Sequence, residues 1–239
     1  MPQVHLLWLR APEIARSALP GQFLMVATGY GQDPLLRRPF SLHRVDQEGK
    51  LALLFNVVGR GTAWLAGLKR GDKLDLLGPL GNSFRLQAKS VNLLLIGGGM
   101  GIAPLVMLAD QAIKEDREVT LLLGARGAEG LYPSQLLPPE VELVISTDDG
   151  SVGRKGLVTD LVPEYLDWAD QIFACGPSPM YQALAGVLRR RPTRKQAQVS
   201  LEAHMACGFG VCYGCALETH RGMRLVCKDG PIFNLRDIW

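Results

Sequence analysis

The hydrophobic pattern of the first ninety residues predicts short strands separated by turns. Apolar or alternating runs lie at residues 22–30, 38–46, 50–59 and 72–79. Gly, Pro, Asp and Asn interrupt these runs at the spacing typical of an antiparallel barrel or sandwich. A short helix is predicted to begin at Thr62, a hydroxyl residue suited to capping. We therefore expect an antiparallel β-domain over residues 1–89.

The pattern changes at about Asn92. Continuous apolar runs at 93–99, 118–126, 141–147 and 170–177 each end in a Gly-rich or polar turn. Amphipathic segments between them predict helices over 102–116, 155–167 and 177–191. Strands that alternate with helices predict a doubly wound parallel sheet, here over residues 90–195. A basic, proline-interrupted linker, 189–196, leads into a compact tail, 196–239.

Composition limits the possible functions. Of the 239 residues, 47% are hydrophobic and 21% are charged, as in a soluble globular protein, and the net charge is only +3. Such a small charge does not favour nucleic acid or an anionic membrane as a partner. The apolar stretch 91–109 is nearly long enough to span a bilayer, but its glycines and Pro104 favour a strand, a turn and a helix. The first twenty residues do not resemble a signal peptide, so we expect a cytoplasmic protein without a membrane span.

Four of the five cysteines crowd into the tail as Cys207-x4-Cys212-x2-Cys215-x11-Cys227. In a chain without a secretory signal, such clustering favours metal chemistry over disulfides. The order C-x4-C-x2-C…C is that of plant-type [2Fe–2S] proteins, in which four thiolates hold two irons. A structural zinc site is the alternative, but such sites more often combine two C-x2-C units. A hairpin of residues 215–219 and 223–227 is predicted to bring Cys227 to the other three.

Glycine-rich turns mark the carboxyl edge of the predicted parallel sheet. Gly97, Gly98, Gly99 and Gly101 follow a buried strand and open a helix, an arrangement that lets a backbone approach a pyrophosphate. A second turn, 175–180, follows the strand that ends near Cys175. Tight turns between strands and helices also need glycine, and a lone cysteine is often only a small buried side chain.

Two segments of the β-domain have a composition suited to phosphate and ring binding. One is Arg38-Pro39-Phe40-Ser41, and the other is Gly59-Arg60-Gly61-Thr62. Each would by itself be compatible with an ordinary strand edge or turn.

Taken together, these segments resemble the ferredoxin–NADP reductase superfamily. Within this superfamily, the tail more closely resembles that of the electron-transfer subunits of class 1B dihydroorotate dehydrogenases. The resemblance covers nearly the whole chain and rests on motifs in the same order: RRPFS, NVVGRGT, GGGMGIAP, TDDGSVGRKG, FACGPSPM, EAHMACGFGVCYGC and VCKDGPIF. It implies a multidomain protein with an antiparallel β-barrel flavin domain, a doubly wound α/β NAD-binding domain and a small C-terminal [2Fe–2S] domain.

The resemblance also implies roles for the matched positions. Arg38 would pair with the FAD pyrophosphate, Ser41 would face the isoalloxazine, and Gly61 and Thr62 would complete the phosphate site. The flavin set is Arg38, Pro39, Phe40, Ser41, Phe55, Asn56, Val57, Gly61 and Thr62, with Asn56 where an arginine is common. The dinucleotide set is Gly97, Gly98, Gly99, Gly101, Cys175, Gly176, Pro177 and Met180, and the cluster ligands are the four tail cysteines.

The implied partner is a catalytic subunit that holds FMN and oxidises dihydroorotate to orotate. Electrons would pass from FMN through the cluster and FAD to NAD⁺. Another flavin and iron–sulfur reductase of the superfamily remains an alternative, either the small subunit of an NADH-dependent ferredoxin:NADP oxidoreductase or a sulfide dehydrogenase. In the former, the first cluster ligand can be an aspartate, where this chain has Cys207. A non-enzymatic dinucleotide-binding module with a structural zinc is a further alternative.

Some positions are left open by the sequence. Arg126 and Glu129 lie close together where NAD is distinguished from NADP, and only the resemblance favours NAD. Asp148 and Asp149 belong to a segment that predicts a turn. The terminal Trp239 is either an apolar anchor or a cover for a cofactor or interface.

Overall fold

The computed structural model describes residues 4–29, 35–191 and 195–239. Tyr30, the end of the first predicted strand, and residues 192–194 of the predicted linker lie outside the described residues. Within the described ranges, no helix is long and apolar enough to cross a membrane.

The N-terminal part folds around an antiparallel sheet, as predicted. Its elements are β1 (Val4–Arg10), α1 (Pro12–Ser17), β2 (Phe23–Val26), β3 (Arg38–Val45), β4 (Lys50–Asn56), α2 (Arg60–Ala66) and β5 (Leu76–Leu80). In the described residues, the five strands pair in the order β1-β4-β3-β2-β5. Leu24, Leu42 and Leu53 are fully buried in the core of this domain. β1 was not among the predicted runs, and it completes the sheet by pairing with β4 along its length.

The short helix of this domain begins two residues before the predicted start. Gly59 is the residue that precedes α2, and Thr62 lies in its first turn. The Thr62 hydroxyl still works at the helix start, because it accepts the backbone N–H groups of Val58 and Gly59 at 2.9 and 3.1 Å.

The middle of the chain is the predicted α/β domain. Its elements are β6 (Asn92–Gly98), α3 (Ile102–Lys114), β7 (Glu118–Ala125), β8 (Glu142–Thr147), β9 (Arg154–Lys155), α4 (Val162–Tyr165), β10 (Gln171–Cys175) and α5 (Ser178–Arg190). A further strand, β11 (Ala197–Ser200), lies in the predicted tail, was not predicted from the sequence, and joins the sheet parallel to β10. Helical turns with three residues per turn occupy Gly99–Gly101, Ala128–Gly130, Ser134–Leu136 and Val158–Asp160. On β6, Leu93 and Leu95 pack towards α3, whereas Leu94 and Ile96 pack on the opposite face with α5. This double covering is why the strand is apolar throughout.

One predicted helix is broken. Of residues 155–167, Lys155 ends β9, and the helical part is limited to the turn Val158–Asp160 and the four-residue α4. Pro163 lies at the start of α4. Because proline lacks a backbone N–H, it is tolerated in a first turn and interrupts a helix that arrives from before it.

The tail is joined to the α/β domain by shared strands. It contains β12 (Ala216–Thr219), β13 (Gly222–Leu225), α6 (Val226–Asp229), β14 (Ile232–Asn234) and α7 (Leu235–Ile238). In the described residues, the large sheet has the order β14-β11-β10-β6-β7-β8-β9, with β14 antiparallel to β11. The predicted hairpin is present as β12 and β13, but Cys227 lies in α6 and not on the strand. The limits 89/90 and 195/196 remain a prediction, and the tail shares the core of the large sheet.

Asn82, two residues after β5, connects the tail to the β-domain. Its side-chain amide donates to the carbonyls of Asp229 and Ile232 at 2.9 Å, and its oxygen accepts the Ile232 N–H at 2.9 Å. The Asn82 N–H also donates to the Gly230 carbonyl. The tail is therefore held between the β-domain and the large sheet.

Candidate functional site

A cavity of about 750 Å³ opens between the β-domain, the start of α3 and the segment after β11. We call it the barrel cavity. Eight of the nine predicted flavin residues line it, and Val57 does not: the eight are Arg38, Pro39, Phe40, Ser41, Phe55, Asn56, Gly61 and Thr62. The structure thus brings the two separate flavin motifs together. Their role in holding FAD remains a prediction.

The opposite wall of the barrel cavity was not assigned from the sequence. It is formed by Met100, Ala103, Pro231 and the segment 200–205. The segment 200–205 was visible in the sequence only as part of a motif that precedes the cysteines. It faces the cavity because β11 ends at Ser200 on the edge of the large sheet that adjoins the β-domain.

The lining of the barrel cavity combines two kinds of chemistry. It includes the cationic Arg38 and the first turn of α2, where Gly61 comes so near the β-domain wall that a Cβ would lie 2.6 Å from the Thr28 Oγ1. That Thr28 hydroxyl is buried without a hydrogen-bond partner in the described residues. The lining also includes an aromatic pair, because Phe40 and Phe55 meet edge to face with their centroids 5.6 Å apart. A cationic, glycine-containing part and an aromatic part fit the pyrophosphate and the ring of FAD.

The two predicted dinucleotide loops meet at the carboxyl edge of the large sheet. Gly97 and Cys175 are paired on the adjacent strands β6 and β10. Residues 97–101 (the glycine loop) and 175–180 (the Cys-Gly-Pro loop) then pack backbone against backbone. A Cβ on Gly101 would lie 1.9 Å from the Cys175 carbonyl oxygen, and a Cβ on Gly176 would lie 3.2 Å from the Gly98 Cα. Glycine is needed here for close approach, which leaves a backbone-lined edge suited to a dinucleotide.

The Cys175 side chain is buried, and burial raises the pKa of its thiol to about 12. It is therefore a neutral, small side chain at neutral pH. This fits the interpretation of Cys175 as a packing residue within a loop whose backbone does the binding.

Tyr181 connects the Cys-Gly-Pro loop with the barrel cavity. Its hydroxyl accepts the Gly176 N–H at 3.0 Å and donates to the Ser200 carbonyl at 2.5 Å. The Trp239 ring lies on the Tyr181 ring, with centroids 5.3 Å apart. Trp239 thus acts as an apolar anchor that packs on Tyr181.

The segment after β8 forms the predicted turn. The Asp149 carboxylate accepts the N–H and the hydroxyl of Ser151 at 2.9 and 2.7 Å, and these hydrogen bonds lower its pKa. Ser151 in turn accepts the Ala128 N–H at 2.9 Å. The turn therefore holds the loop that carries Arg126 and Glu129, both of which are exposed.

The four tail cysteines lie on one loop and the helix that follows its hairpin. Their thiols act on one another: Cys207 contacts Cys212, Cys215 contacts Cys227, and Cys207 also acts electrostatically on Cys227. Four neighbouring thiols are the donor set that a two-iron cluster needs. Among the described residues, no three His, Cys, Asp or Glu side chains are arranged to hold a single metal ion.

Backbone N–H groups are directed at the sulfurs. Burial opposes ionisation of Cys207, but the N–H groups of Phe209, Cys212 and Val211 outweigh it and lower the pKa of this thiol to about 6. The Gly214 N–H points to the Cys212 sulfur, and the Cys227 N–H to the Cys215 sulfur, both at 3.4 Å. Such donors stabilise thiolate charge and tune a bound cluster, so the loop fits an iron–sulfur centre.

The cysteine loop, residues 207–215, lies between the β-domain and solvent. Gly208, in the left-handed region with φ +84°, abuts the β-domain, since a Cβ there would lie 2.4 Å from the Met25 Cγ. Phe209, Val211 and Tyr213 are 53, 65 and 69% exposed. The loop thus adjoins the β-domain, and it presents apolar side chains to solvent.

Comparisons with known proteins agree over most of the chain. The family described as "Iron-sulfur cluster binding domain of dihydroorotate dehydrogenase B" matches residues 202–238, and "Oxidoreductase NAD-binding domain" matches residues 95–185. The dihydroorotate dehydrogenase B (NAD(+)) electron transfer subunit of Desulforamulus reducens is 41% identical over 97% of this chain and 91% of its own. The subunit of the same name from Geobacillus kaustophilus is 39% identical over 92% and 86%.

A solved structure is also similar. It is that of an NADH-dependent reduced ferredoxin-NADP oxidoreductase, studied for flavin-based electron bifurcation. It superimposes with a TM-score of 0.87 at 30% identity and covers 99% of this chain and 85% of its own. The similarity confirms the predicted arrangement of an antiparallel domain, a parallel α/β domain and a C-terminal cluster-binding segment.

Proposed function

The chain belongs to the family of dihydroorotate dehydrogenase B (NAD(+)) electron transfer subunits, and we propose that it carries electrons between NAD and an FMN-containing catalytic subunit that oxidises dihydroorotate to orotate. The observation that carries this proposal is the adjacency of three sites in one chain. The barrel cavity, the dinucleotide loops and the cysteine loop meet around the segment 200–207. We propose a cytoplasmic role in pyrimidine biosynthesis.

The chain is an oxidoreductase subunit with FAD, an iron–sulfur cluster and NAD as cofactors. FAD supplies the exchange between hydride transfer with a nicotinamide and single-electron transfer with a cluster. We propose that the cluster is [2Fe–2S], held by Cys207, Cys212, Cys215 and Cys227, since four thiolates in the order C-x4-C-x2-C…C are the ligand set of such a cluster.

The residues of this chain contribute by holding the cofactors in position. Arg38 and the backbone around Gly61 hold the anionic end of FAD, while Phe40 and Phe55 enclose its ring and exclude water. The glycine loop and the Cys-Gly-Pro loop hold the dinucleotide at the sheet edge that Met100 and Ala103 share with the barrel cavity. Tyr181 holds the Cys-Gly-Pro loop in place relative to Ser200 in the cavity wall through its two hydrogen bonds.

The exposed apolar side chains of the cysteine loop are the proposed docking surface for the catalytic subunit. We expect Tyr213→Asn to weaken that complex by about 10- to 100-fold, the usual effect of losing an aromatic anchor at an interface. Asparagine is chosen because Tyr213 has φ +58°, which asparagine tolerates. The measurement is a binding titration between the holoprotein and the catalytic subunit.

The matched control for this surface is Leu157→Ser. Leu157 is 55% exposed and precedes the turn Val158–Asp160, at the β9 side of the sheet, away from β14 and the tail. The Leu157→Ser substitution should leave the affinity for the catalytic subunit unchanged. Loss of the cluster absorption in Tyr213→Asn, or equal weakening by both substitutions, would contradict the proposed surface.

The function itself is tested with anaerobically purified protein. Iron, zinc and flavin are assayed, and the absorption spectrum is followed while NADH is added. Flavin and cluster bands that bleach with NADH, together with dihydroorotate-dependent NAD⁺ reduction once the catalytic subunit is added, are the expected results. A colourless, zinc-loaded protein would overturn the redox function.

A second function is favoured by the structural similarity to the NADH-dependent reduced ferredoxin-NADP oxidoreductase. It predicts that the same NADH-bleached protein reduces ferredoxin and does not respond to the dihydroorotate dehydrogenase catalytic subunit. Parallel assays with ferredoxin and with that catalytic subunit therefore separate the two functions.

A further inference from the structure

His43 forms a buried connection between the two cofactor domains. It lies on β3 of the β-domain and is 0% exposed. Its Nδ1 donates to the Ala103 carbonyl in α3 at 2.9 Å, and its Nε2 accepts the Tyr132 hydroxyl, which follows β7, at 3.0 Å. The tautomer follows from the partners, because a carbonyl can only accept and so the proton must be on Nδ1.

Both rings of this connection are neutral at physiological pH. Burial lowers the pKa of His43 to about 4, although the hydrogen bond to Ala103 acts in the opposite direction. Burial likewise raises the pKa of Tyr132 to about 12. The donors and acceptors therefore keep fixed roles, and the geometry of the connection is constant across the working pH range.

The two ends of the connection lead directly to the two cofactor sites. Ser41, two residues before His43 on β3, lines the barrel cavity. Ala103 lines the same cavity and lies two residues after Gly101 of the glycine loop. A displacement of Ala103 relative to β3 would thus shift the glycine loop relative to the barrel cavity.

We propose that His43 is a positioning residue that sets the separation between the barrel cavity and the glycine loop, and with it the approach of nicotinamide to flavin. This inference rests on the proposed function, in which the cavity holds FAD and the loop holds NAD. Hydride transfer is sensitive to such placement, since a misplacement of about 1 Å can reduce a rate about 100-fold.

A neighbouring ion pair provides the matched control. The Arg44 Nε and its terminal nitrogen donate to the Asp110 carboxylate at 2.7 and 2.9 Å, so this pair also joins β3 to α3. Asp110 lies about two turns after Ala103 on α3. The pair is partly exposed, and among the described residues neither Arg44 nor Asp110 lines the barrel cavity. We expect it to hold the domains together without defining the position of the glycine loop.

The experiment compares His43→Leu, His43→Asn and Arg44→Gln in the FAD-loaded holoprotein. Three quantities are measured: the single-turnover rate of flavin reduction by NADH, the NADH dissociation constant, and amide hydrogen exchange over residues 97–105. For His43→Leu we expect the rate to fall about 10- to 100-fold with a much smaller change in the dissociation constant, and exchange to accelerate. In His43→Asn the side-chain amide can occupy the Nδ1 position and donate to Ala103, so most of the rate should return.

Arg44→Gln should reduce thermal stability and leave the rate within about two-fold of the wild type, because Ala103 keeps its partner. The proposal is overturned if His43→Leu keeps the wild-type rate and exchange, if His43→Asn fails to rescue them, or if Arg44→Gln slows the rate equally. Should His43→Leu not retain FAD, His43→Gln serves in its place, because its amide reaches the Nε2 position beside Tyr132 and leaves the Ala103 carbonyl without its donor; an unchanged rate and exchange there overturn the proposal. If NADH does not reduce the wild-type flavin, the proposed function fails, and this outcome is distinct from a failure of His43.

Discussion

Cys212→Ala is expected to abolish electron delivery to the catalytic subunit while leaving the NADH-to-flavin reaction intact. Cys212 is exposed, and in the described residues its sulfur lies next to the Gly214 N–H and the Cys207 thiol, both inside the cysteine loop. Removing its sulfur deprives one iron of a ligand and leaves the core untouched. We expect dihydroorotate-dependent NAD⁺ reduction to fall at least about 100-fold, together with loss of iron and of cluster absorption.

The comparison for Cys212→Ala is Cys215→Ala. Cys215 and Cys227 are buried in the core that the tail shares with the large sheet. Cys215→Ala should therefore lose the cluster and also lower thermal stability, whereas Cys212→Ala should lose the cluster alone. NADH oxidation by an artificial acceptor measures the flavin reaction in both variants. Loss of FAD from Cys212→Ala would show that the tail and the flavin site are not separable.

The sequence predicted the strands and helices that are each encoded by the hydrophobic pattern of one continuous stretch of residues. The strands β6, β7, β8 and β10 and the helices α3 and α5 were predicted because each is a run with a single period and a glycine, proline or polar boundary. The buried strand β11 was not predicted. The helix expected over 155–167 failed because Pro163 breaks it. The strand expected to end at Cys227 was predicted too long, because β13 ends at Leu225 and the chain turns directly into α6.

Contacts between distant segments could not be predicted in this way. β14 is three residues long and joins the sheet through its backbone, so nothing in its side chains indicates its partner. His43 meets Ala103 and Tyr132 across 60 and 89 residues of sequence. No periodicity in β3 distinguishes this histidine from any other buried residue.

The candidate site shows the same division. The cysteine set followed from spacing, since the chemistry of a cluster fixes the number and type of its ligands. The wall of the barrel cavity formed by residues 200–205 could not be predicted from residue spacing, because it depends on where the end of β11 lies relative to the β-domain. Sequence thus predicts ligands that must be close in the chain, and structure is needed for walls assembled from several domains.

Gly101→Ala is expected to lower both the stability of the protein and the rate of its reaction with NADH, although helix propensity alone would favour alanine. Gly101 has helical dihedral angles, φ −60° and ψ −11°, immediately before α3. Propensity alone would therefore predict stabilisation by up to about 1 kcal/mol. However, the added Cβ would lie 1.9 Å from the Cys175 carbonyl oxygen, 2.3 Å from its carbon and 2.7 Å from the Gly176 nitrogen, all of them backbone atoms that cannot rotate away.

The glycine loop and the Cys-Gly-Pro loop must then move apart in the Gly101→Ala variant. We expect a loss of about 1–3 kcal/mol in the free energy of unfolding, typical of overpacking. The rate of flavin reduction by NADH should fall by about 100-fold, because both loops frame the dinucleotide. Thermal unfolding and single-turnover kinetics measure the two effects.

Gly186→Ala is the matched control for Gly101→Ala. Gly186 lies in the interior of α5, and a Cβ added there meets nothing within 4 Å. It should stabilise the protein by about 0.5–1 kcal/mol, as alanine does in an unobstructed helix, and leave the NADH reaction unchanged. Opposite effects of one substitution at two helical glycines would establish that loop contact, and not propensity, determines the residue at position 101. If both variants are stabilised and equally active, the two loops are not in backbone contact in solution, and the dinucleotide edge must be formed in another way.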